Sequence, residues 1–212
     1  MGLREKMVKQ VRKPKGKFGK VLAKMMNRGP HAEMANWAYN YIPVELNSTI
    51  LDIGCGGGKN IQNFAKLASN GKVYGIDYSE VSVEISKKVN KNNISSGLVD
   101  ISHGSVSNLP YEDNKFDIIT GFECHFFWPN IIEDLKEVKR VLKSGGIFYL
   151  IAETFLSENE EHVKEVKQWS EMGNFPVYSP TELEDFFLKA GYSDIEIILE
   201  NDVNWLLIRG KK

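Results

Sequence analysis

Thr49-Ile50-Leu51-Asp52-Ile53-Gly54-Cys55-Gly56-Gly57-Gly58-Lys59-Asn60 is the stretch that decides the fold. Residues 50–53 are a short apolar run that reads as a strand. The glycines at 54, 56 and 58 lack the Cβ that would keep a tightly turned backbone away from a ligand. A helix from about Asn60 points its first amides at whatever occupies the turn. Further along, residues 72–76 (Lys-Val-Tyr-Gly-Ile) form a second short strand that closes on Asp77, 25 positions after Asp52. In a βαβ nucleotide unit an acidic residue near this offset accepts hydrogen bonds from ribose hydroxyls. The competing reading is a tight turn followed by a solvated carboxylate. Two matched features favour a nucleotide site.

The glycine spacing then separates one nucleotide from another. Dinucleotide sites use Gly-x-Gly-x-x-Gly, whose third glycine lets the helix pack on the sheet beneath a pyrophosphate. Here the spacing is Gly-x-Gly-x-Gly, and Lys59 stands where that third glycine belongs. With Asp52 ahead of the turn, Leu51-Asp52-Ile53-Gly54-Cys55-Gly56-Gly57-Gly58 resembles motif I of the class I S-adenosylmethionine-dependent methyltransferases. The resemblance covers residues 49–152 in order. Tyr78-Ser79-Glu80 follows Asp77, with Ser79 as a helix N-cap. His103-Gly104-Ser105-Val106 stands where this family usually has Gly-Asp-Ala. Leu109-Pro110-Tyr111-Glu112-Asp113-Asn114-Lys115-Phe116-Asp117 resembles the family's run before strand four, and Arg140-Val141-Leu142-Lys143-Ser144-Gly145-Gly146 its "RVLKPGG" segment, with Ser for Pro.

The resemblance implies an α/β fold: a doubly wound, mostly parallel seven-stranded sheet of Rossmann-like type with a C-terminal antiparallel hairpin. It implies S-adenosylmethionine as the cofactor. Gly54, Gly56 and Gly58 would approach its methionine and ribose part, Asp77 the ribose diol, and Tyr78 one face of the adenine. Ser105 would accept from the adenine amine where the family commonly has Asp, with a hydroxyl in place of a charge. Val106 would offer its backbone amide, and Phe122 its carbonyl to the cofactor amino group. Asp52 would fix the turn and the methionine end, or simply cap neighbouring amides.

Size and composition fit one folded unit. A chain of 212 residues buries roughly 70% of its unfolded surface, so it needs neither disulfide nor metal to fold. The 42% apolar and 26% charged residues are ordinary globular values. Neither a bilayer-spanning run nor a signal-peptide pattern is evident. Cys55 and Cys124 lack metal-ligand spacing and read as reduced thiols, which gives a cytoplasmic expectation.

Charge is uneven although the net is −1. Residues 1–28 hold ten Lys or Arg against the single Glu5, so the remainder is acidic. That arm reads as a solvated lead-in, as an anion- or nucleic-acid-steering segment, or as a transit peptide. We divide the chain into a basic arm and lid candidate at 1–30 and one domain at 31–212. The lid expectation covers residues 15–42, within which His31–Ile42 is a helix with Met34, Trp37, Ala38 and Tyr41 on one face, docked on the body.

Downstream, the spacing predicts a fourth strand over Phe116–Gly121. Asn130-Ile131-Ile132-Glu133 forms a capping box for a helix with a stripe at Ile131, Leu135, Val138 and Leu142, ended by Gly145. Strand five is Ile147–Ala152. A charged helix follows at Glu158–Trp169, then a helix opened by Ser179-Pro180-Thr181-Glu182, then two antiparallel strands at Ile195–Leu199 and Asn204–Ile208.

Ligands in such sheets sit at the carboxyl ends of the strands. The sequence leaving strand four, Phe122-Glu123-Cys124-His125-Phe126-Phe127-Trp128-Pro129, packs four aromatics into seven residues with a Glu and a His among them. It reads as a substrate pocket, or as aromatics capping the core. The aromatics would also face a sulfonium. Methyl transfer needs alignment and exclusion of water rather than a nucleophilic side chain. A base helps only a protonated acceptor, and His125 or Glu123 are the candidates. The Asn-Pro-Pro-aromatic signature of enzymes that methylate amide or base nitrogens is missing. The expectation is methyl transfer to a small molecule. An RNA or protein methyltransferase, a noncatalytic cofactor-binding regulator and, remotely, a nicotinamide oxidoreductase remain as alternatives.

Overall fold

Seven strands, β1 (Thr49–Ile53), β2 (Lys72–Asp77), β3 (Val99–His103), β4 (Phe116–Phe122), β5 (Leu142–Ala152), β6 (Ser193–Glu200) and β7 (Trp205–Lys211), form one sheet in the computed structural model. The structure describes residues 10, 13–16, 19, 21 and 29–212. The spatial order is β3-β2-β1-β4-β5-β7-β6. The first five strands pair in parallel, and β7 runs antiparallel to both β5 and β6. After β3 the chain crosses from one side of β1 to the other to form β4. The direction of winding therefore reverses between β1 and β4, and a crevice opens at their carboxyl ends. This is the doubly wound, mostly parallel sheet with a terminal antiparallel hairpin that the sequence leads one to expect.

The helices are α1 (Pro30–Ala38), α2 (Lys59–Leu67), α3 (Glu80–Val89), α4 (Lys91–Ser95), α5 (Ile131–Val141), α6 (Glu160–Gly173) and α7 (Pro180–Lys189). Strand alternation sends side chains to two cores. Leu51, Ile119 and Phe148 join Leu135, Val138 and Phe187 of α5 and α7 on one face. Their chain neighbours Ile50, Ile118 and Tyr149 join Met34, Ile61 and Phe64 of α1 and α2 on the other. Central strands with both faces covered are apolar almost throughout, which is why residues 50–53 carry only one charge.

Several local expectations need correction. Helix α5 stops at Val141, and Leu142 already belongs to β5, where it pairs with Phe116. Gly145 therefore sits inside the strand at φ +79° instead of ending a helix. The spacing of Leu142 from Val138 fits a helical stripe, but its wholly buried side chain serves equally well as the first strand residue. The Asn130 side chain does accept from the Glu133 amide (3.4 Å), yet the return bond comes from Asp134, whose Oδ2 accepts from the Asn130 amide at 3.0 Å. The box at Ser179 and Glu182 is complete. Helix α6 begins at Glu160 behind an Asn159 cap and runs on to Gly173. The short α4 was not expected.

Toward the N-terminus, Met34 and Ala38 are buried and Trp37 is half-buried. Tyr41 is 38% exposed in a 3-10 turn, edge-on to Trp37 at 5.4 Å, so it does not dock on the body as expected. Most of the basic arm, and with it the earlier part of the lid expectation, lies outside the described residues. Of the arm's described part, the Pro14 carbonyl accepts from Ser79 Oγ (3.0 Å), and Lys13 Nζ lies 5.1 Å from the centre of the Tyr78 ring.

Candidate active site

The crevice is organised by the turn after β1. The amides of Gly54 and Cys55 both donate to the Ile76 carbonyl, at 2.8 and 3.1 Å, which ties the turn to the end of β2. Gly54 has φ +70°, and a Cβ there would lie 2.8 Å from the Cys124 Cβ, so the turn packs directly on the chain leaving β4. Gly58, at φ +79°, caps α2. A Cβ on it would meet Ser86 Oγ at 2.2 Å, because α3 crosses against the turn at this point. Only glycine meets both demands.

Asp77 ends β2 and faces the crevice. Its Oδ2 accepts from the Gly56 amide (2.9 Å) and its Oδ1 from the Ser79 amide (2.8 Å). Each oxygen keeps a lone pair for a further donor. Burial raises its pKa, and those two amide bonds oppose the rise. Behind the turn Asp52 is 1% exposed. Thr120 Oγ1 donates to its Oδ1 at 2.8 Å, and its Oδ2 has no partner among the described residues. Burial chiefly, and the nearby Asp77 charge, push its pKa up to about 7. It lines none of the cavities described next.

Three cavities meet here. The first, about 170 Å³, is walled by Ile53, Ile76 and Val106, with Asp77, Tyr78 and Ser105 at its rim. The second, about 80 Å³, lies over Gly54, Gly56 and Lys59, between His31, Phe122 and Glu123. The third, about 500 Å³, opens outward between Glu123, Phe126, Glu153, His162, Trp169 and Phe175. Gly54 lines the first and second, Phe127 the first and third, and His31 and Glu123 the second and third. An apolar slot with a buried carboxylate at its edge, continuing over an open glycine turn, fits a nucleoside carrying a short polar tail. The residues the sequence singles out for S-adenosylmethionine are thus brought together around two adjoining cavities, apart from Asp52 and from Gly58, which turns toward Ser86 of α3 and lines neither.

Glu123 occupies the seam. Its backbone is in the left-handed region at φ +49°, unusual for a non-glycine residue. That turn swings its carboxylate back across the end of β5. There Oε2 accepts from Thr154 Oγ1 (2.7 Å), and Oε1 accepts from the Thr154 amide (3.3 Å) and the Glu153 amide. Burial first, then the Glu153 charge, push its pKa up to about 7. A carboxyl poised near neutrality suits proton transfer.

His125 is not brought to the cavities. It sits in the 3-10 turn His125–Phe127, 1% exposed, against the rings of Phe126 (5.0 Å) and Tyr178 (6.2 Å). Neither ring nitrogen has a hydrogen-bond partner among the described residues, and burial lowers its pKa to about 3. A ring so reluctant to take a proton, turned into the core, is poorly suited to be the base, and the expectation for it is corrected accordingly.

That burial has a measurable consequence. The unfolded state protonates His125 below about pH 6.5 while the folded state resists until about pH 3. The unfolded chain therefore binds more protons across that window, and stability falls as pH falls through it. Acidification from pH 7 to 5 should remove roughly 2 kcal/mol through this residue. Urea denaturation of the wild type and His125→Phe at both pH values checks this: the variant should lose about that much less on acidification. An equal loss in both proteins would show that His125 does not titrate abnormally.

Sequence reasoning missed His31, Glu153, Thr154, His162, Trp169 and Phe175. Glu153 and Thr154 were within reach, because they leave the carboxyl end of β5, the neighbour of β4. The others come from α1 and from α6 and the segment after it, and only the tertiary fold assembles them. Among the described residues no acidic, His or Cys cluster could hold a metal ion, and no helix is long and apolar enough to cross a membrane.

Comparison with known proteins agrees with this geometry. The family model described as a methyltransferase domain matches residues 51–150. A demethylmenaquinone methyltransferase of Staphylococcus saprophyticus is 28% identical over 73% of this chain and 74% of its own length. A 24-methylenesterol C-methyltransferase 2 of Arabidopsis thaliana is 31% identical over 82% of this chain, which spans 47% of that longer protein. In fold, a crystal structure of a SAM-dependent methyltransferase from Aquifex aeolicus superposes with a TM-score of 0.73 at 20% identity, over 92% of this chain and 98% of that one.

Proposed function

The chain belongs to the class I S-adenosylmethionine-dependent methyltransferases, and from that premise we propose that it moves the methyl group to a small-molecule acceptor seated in the outer cavity. The observation that carries this reading is the shared wall. Glu123 and His31 line both the cavity over the glycine turn and the outer one, so a donor in the first and an acceptor in the second meet at that seam. Relatives named for small-molecule acceptors support the choice of acceptor class.

Binding falls to Asp77 for the ribose diol, to Tyr78, Ser105 and Val106 for the base, and to Gly54, Gly56 and Phe122 for the methionine end, while Gly58 shapes the turn against α3. Asp52, held by Thr120, braces the turn from behind. When bound, the cofactor supplies an electrophilic methyl group on a sulfonium. The protein supplies alignment and a dry wall of Phe126, Phe127 and Phe175, whose rings pack within 4.5–5.4 Å of one another. Glu123, anchored by Thr154, stands ready to take a proton from the acceptor.

Isothermal calorimetry tests the cofactor half of the reading. S-adenosylhomocysteine should bind one-to-one, and NADH should give no heat, since the Gly-x-Gly-x-Gly turn with Lys59 provides no seat for a pyrophosphate. Binding of NADH without S-adenosylhomocysteine would overturn it.

A further inference from the structure

On the transferase reading just given, the lining of the outer cavity also names the charge of its occupant. Three carboxylates, Glu123, Glu153 and Glu165, face a space bounded by Phe126, Phe127, Trp169 and Phe175, with no Lys or Arg among the described lining residues. Two histidines also line it, each bound to a neighbour. His162 has both ring nitrogens engaged, with Ser157 Oγ and the Glu153 carbonyl, each at 2.8 Å. His31 Nδ1 lies 3.5 Å from Glu153 Oε1, an ion pair only when the ring carries a proton.

We propose that the acceptor is a cationic amine, whose ammonium group sits between Glu123 and Glu153 and against the aromatic wall. The Glu123 and Glu153 carboxylates repel each other across the seam, and a cation between them turns that repulsion into two attractions. Aromatic faces attract a desolvated ammonium group, with the alkyl or aryl body of the amine left to fill the rest of the cavity. An anionic acceptor meets a field of its own sign, and a neutral one leaves the two carboxylates facing each other with no cation between them.

The same placement accounts for the chemistry. An ammonium nitrogen has no free electron pair, so its proton must leave before methylation, and the Glu123 carboxylate at the seam receives it. The freed pair on nitrogen forms the new N–C bond as the S–C bond breaks. The sulfur leaves as a neutral sulfide and the product as a methylated ammonium ion. Glu153, which does not border the glycine turn, faces the ammonium charge of the arriving amine and again that of the methylated product.

Calorimetry on the full chain saturated with S-adenosylhomocysteine tests the proposal. The probes are benzyltrimethylammonium, a permanent cation that can neither lose a proton nor be methylated, its uncharged carbon isostere neopentylbenzene, and the anion 3-phenylpropanoate. At pH 8 the cation should bind about tenfold or more tightly than either of the others. Glu153→Gln should cost the cation about fivefold while leaving the isostere and S-adenosylhomocysteine unmoved. Equal affinity for cation and isostere, or preference for the anion, would overturn the amine assignment and leave the transferase reading standing. If S-adenosylhomocysteine itself fails to bind, both fall together.

Discussion

Glu123→Gln is expected to lower kcat about a hundredfold or more while leaving S-adenosylhomocysteine affinity nearly unchanged, because the amide keeps the shape of the carboxylate but cannot take a proton. The wild type should show kcat/KM rising with pH through about 7, where Glu123 loses its proton and becomes competent as a base. The variant should lose that limb. Steady-state kinetics from pH 6 to 9 on any amine that turns over will decide the matter. A drop below tenfold with the pH limb intact would leave Glu123 as a positioning residue and return the mechanism to alignment and exclusion of water alone. His125→Ala offers the contrast: with its ring in the core, its effect should fall on stability, not on the pH limb.

Asp77→Asn should weaken S-adenosylhomocysteine binding by about 10- to 100-fold, since the ribose hydroxyls lose a charged acceptor. The substitution also touches the turn itself, because the Gly56 and Ser79 amides both donate to this carboxylate. An asparagine oxygen replaces only one of those two acceptors, so part of the loss will come from a looser turn. Calorimetry together with a thermal melt separates the two contributions. If the Asp77→Asn variant folds and binds as tightly as the wild type, Asp77 is removed from the site.

The legible part of this protein is the part whose meaning is local. The strand, turn and helix at residues 49–67, the acidic end of β2 and the Ser79 and Ser179 caps are all set by neighbours within a few positions, and the structure forms them as the sequence suggests. Leu142 shows where local reading runs out. Its spacing continues a helical stripe, but pairing with Phe116, a residue 26 positions earlier, takes it into β5. His125 fails for a related reason. It lies in the right segment, yet a 3-10 turn after the strained Glu123 rotates it inward while its neighbour two residues back faces the seam. The acceptor cavity was legible on one side only, because β4 announces itself through its aromatic run, whereas Glu153, His162 and Trp169 acquire meaning only once β5 and α6 close around that run.

A crystal structure with S-adenosylhomocysteine is the most direct test of the central claim that the donor and acceptor cavities meet at Glu123. The ribose is expected on Asp77, the base against Val106 and Ser105, the methionine end over Gly54 and Gly56, and the sulfur facing the outer cavity between His31 and Glu123. A bound ligand whose sulfur is walled off from that cavity, or whose ribose does not touch Asp77, would contradict it.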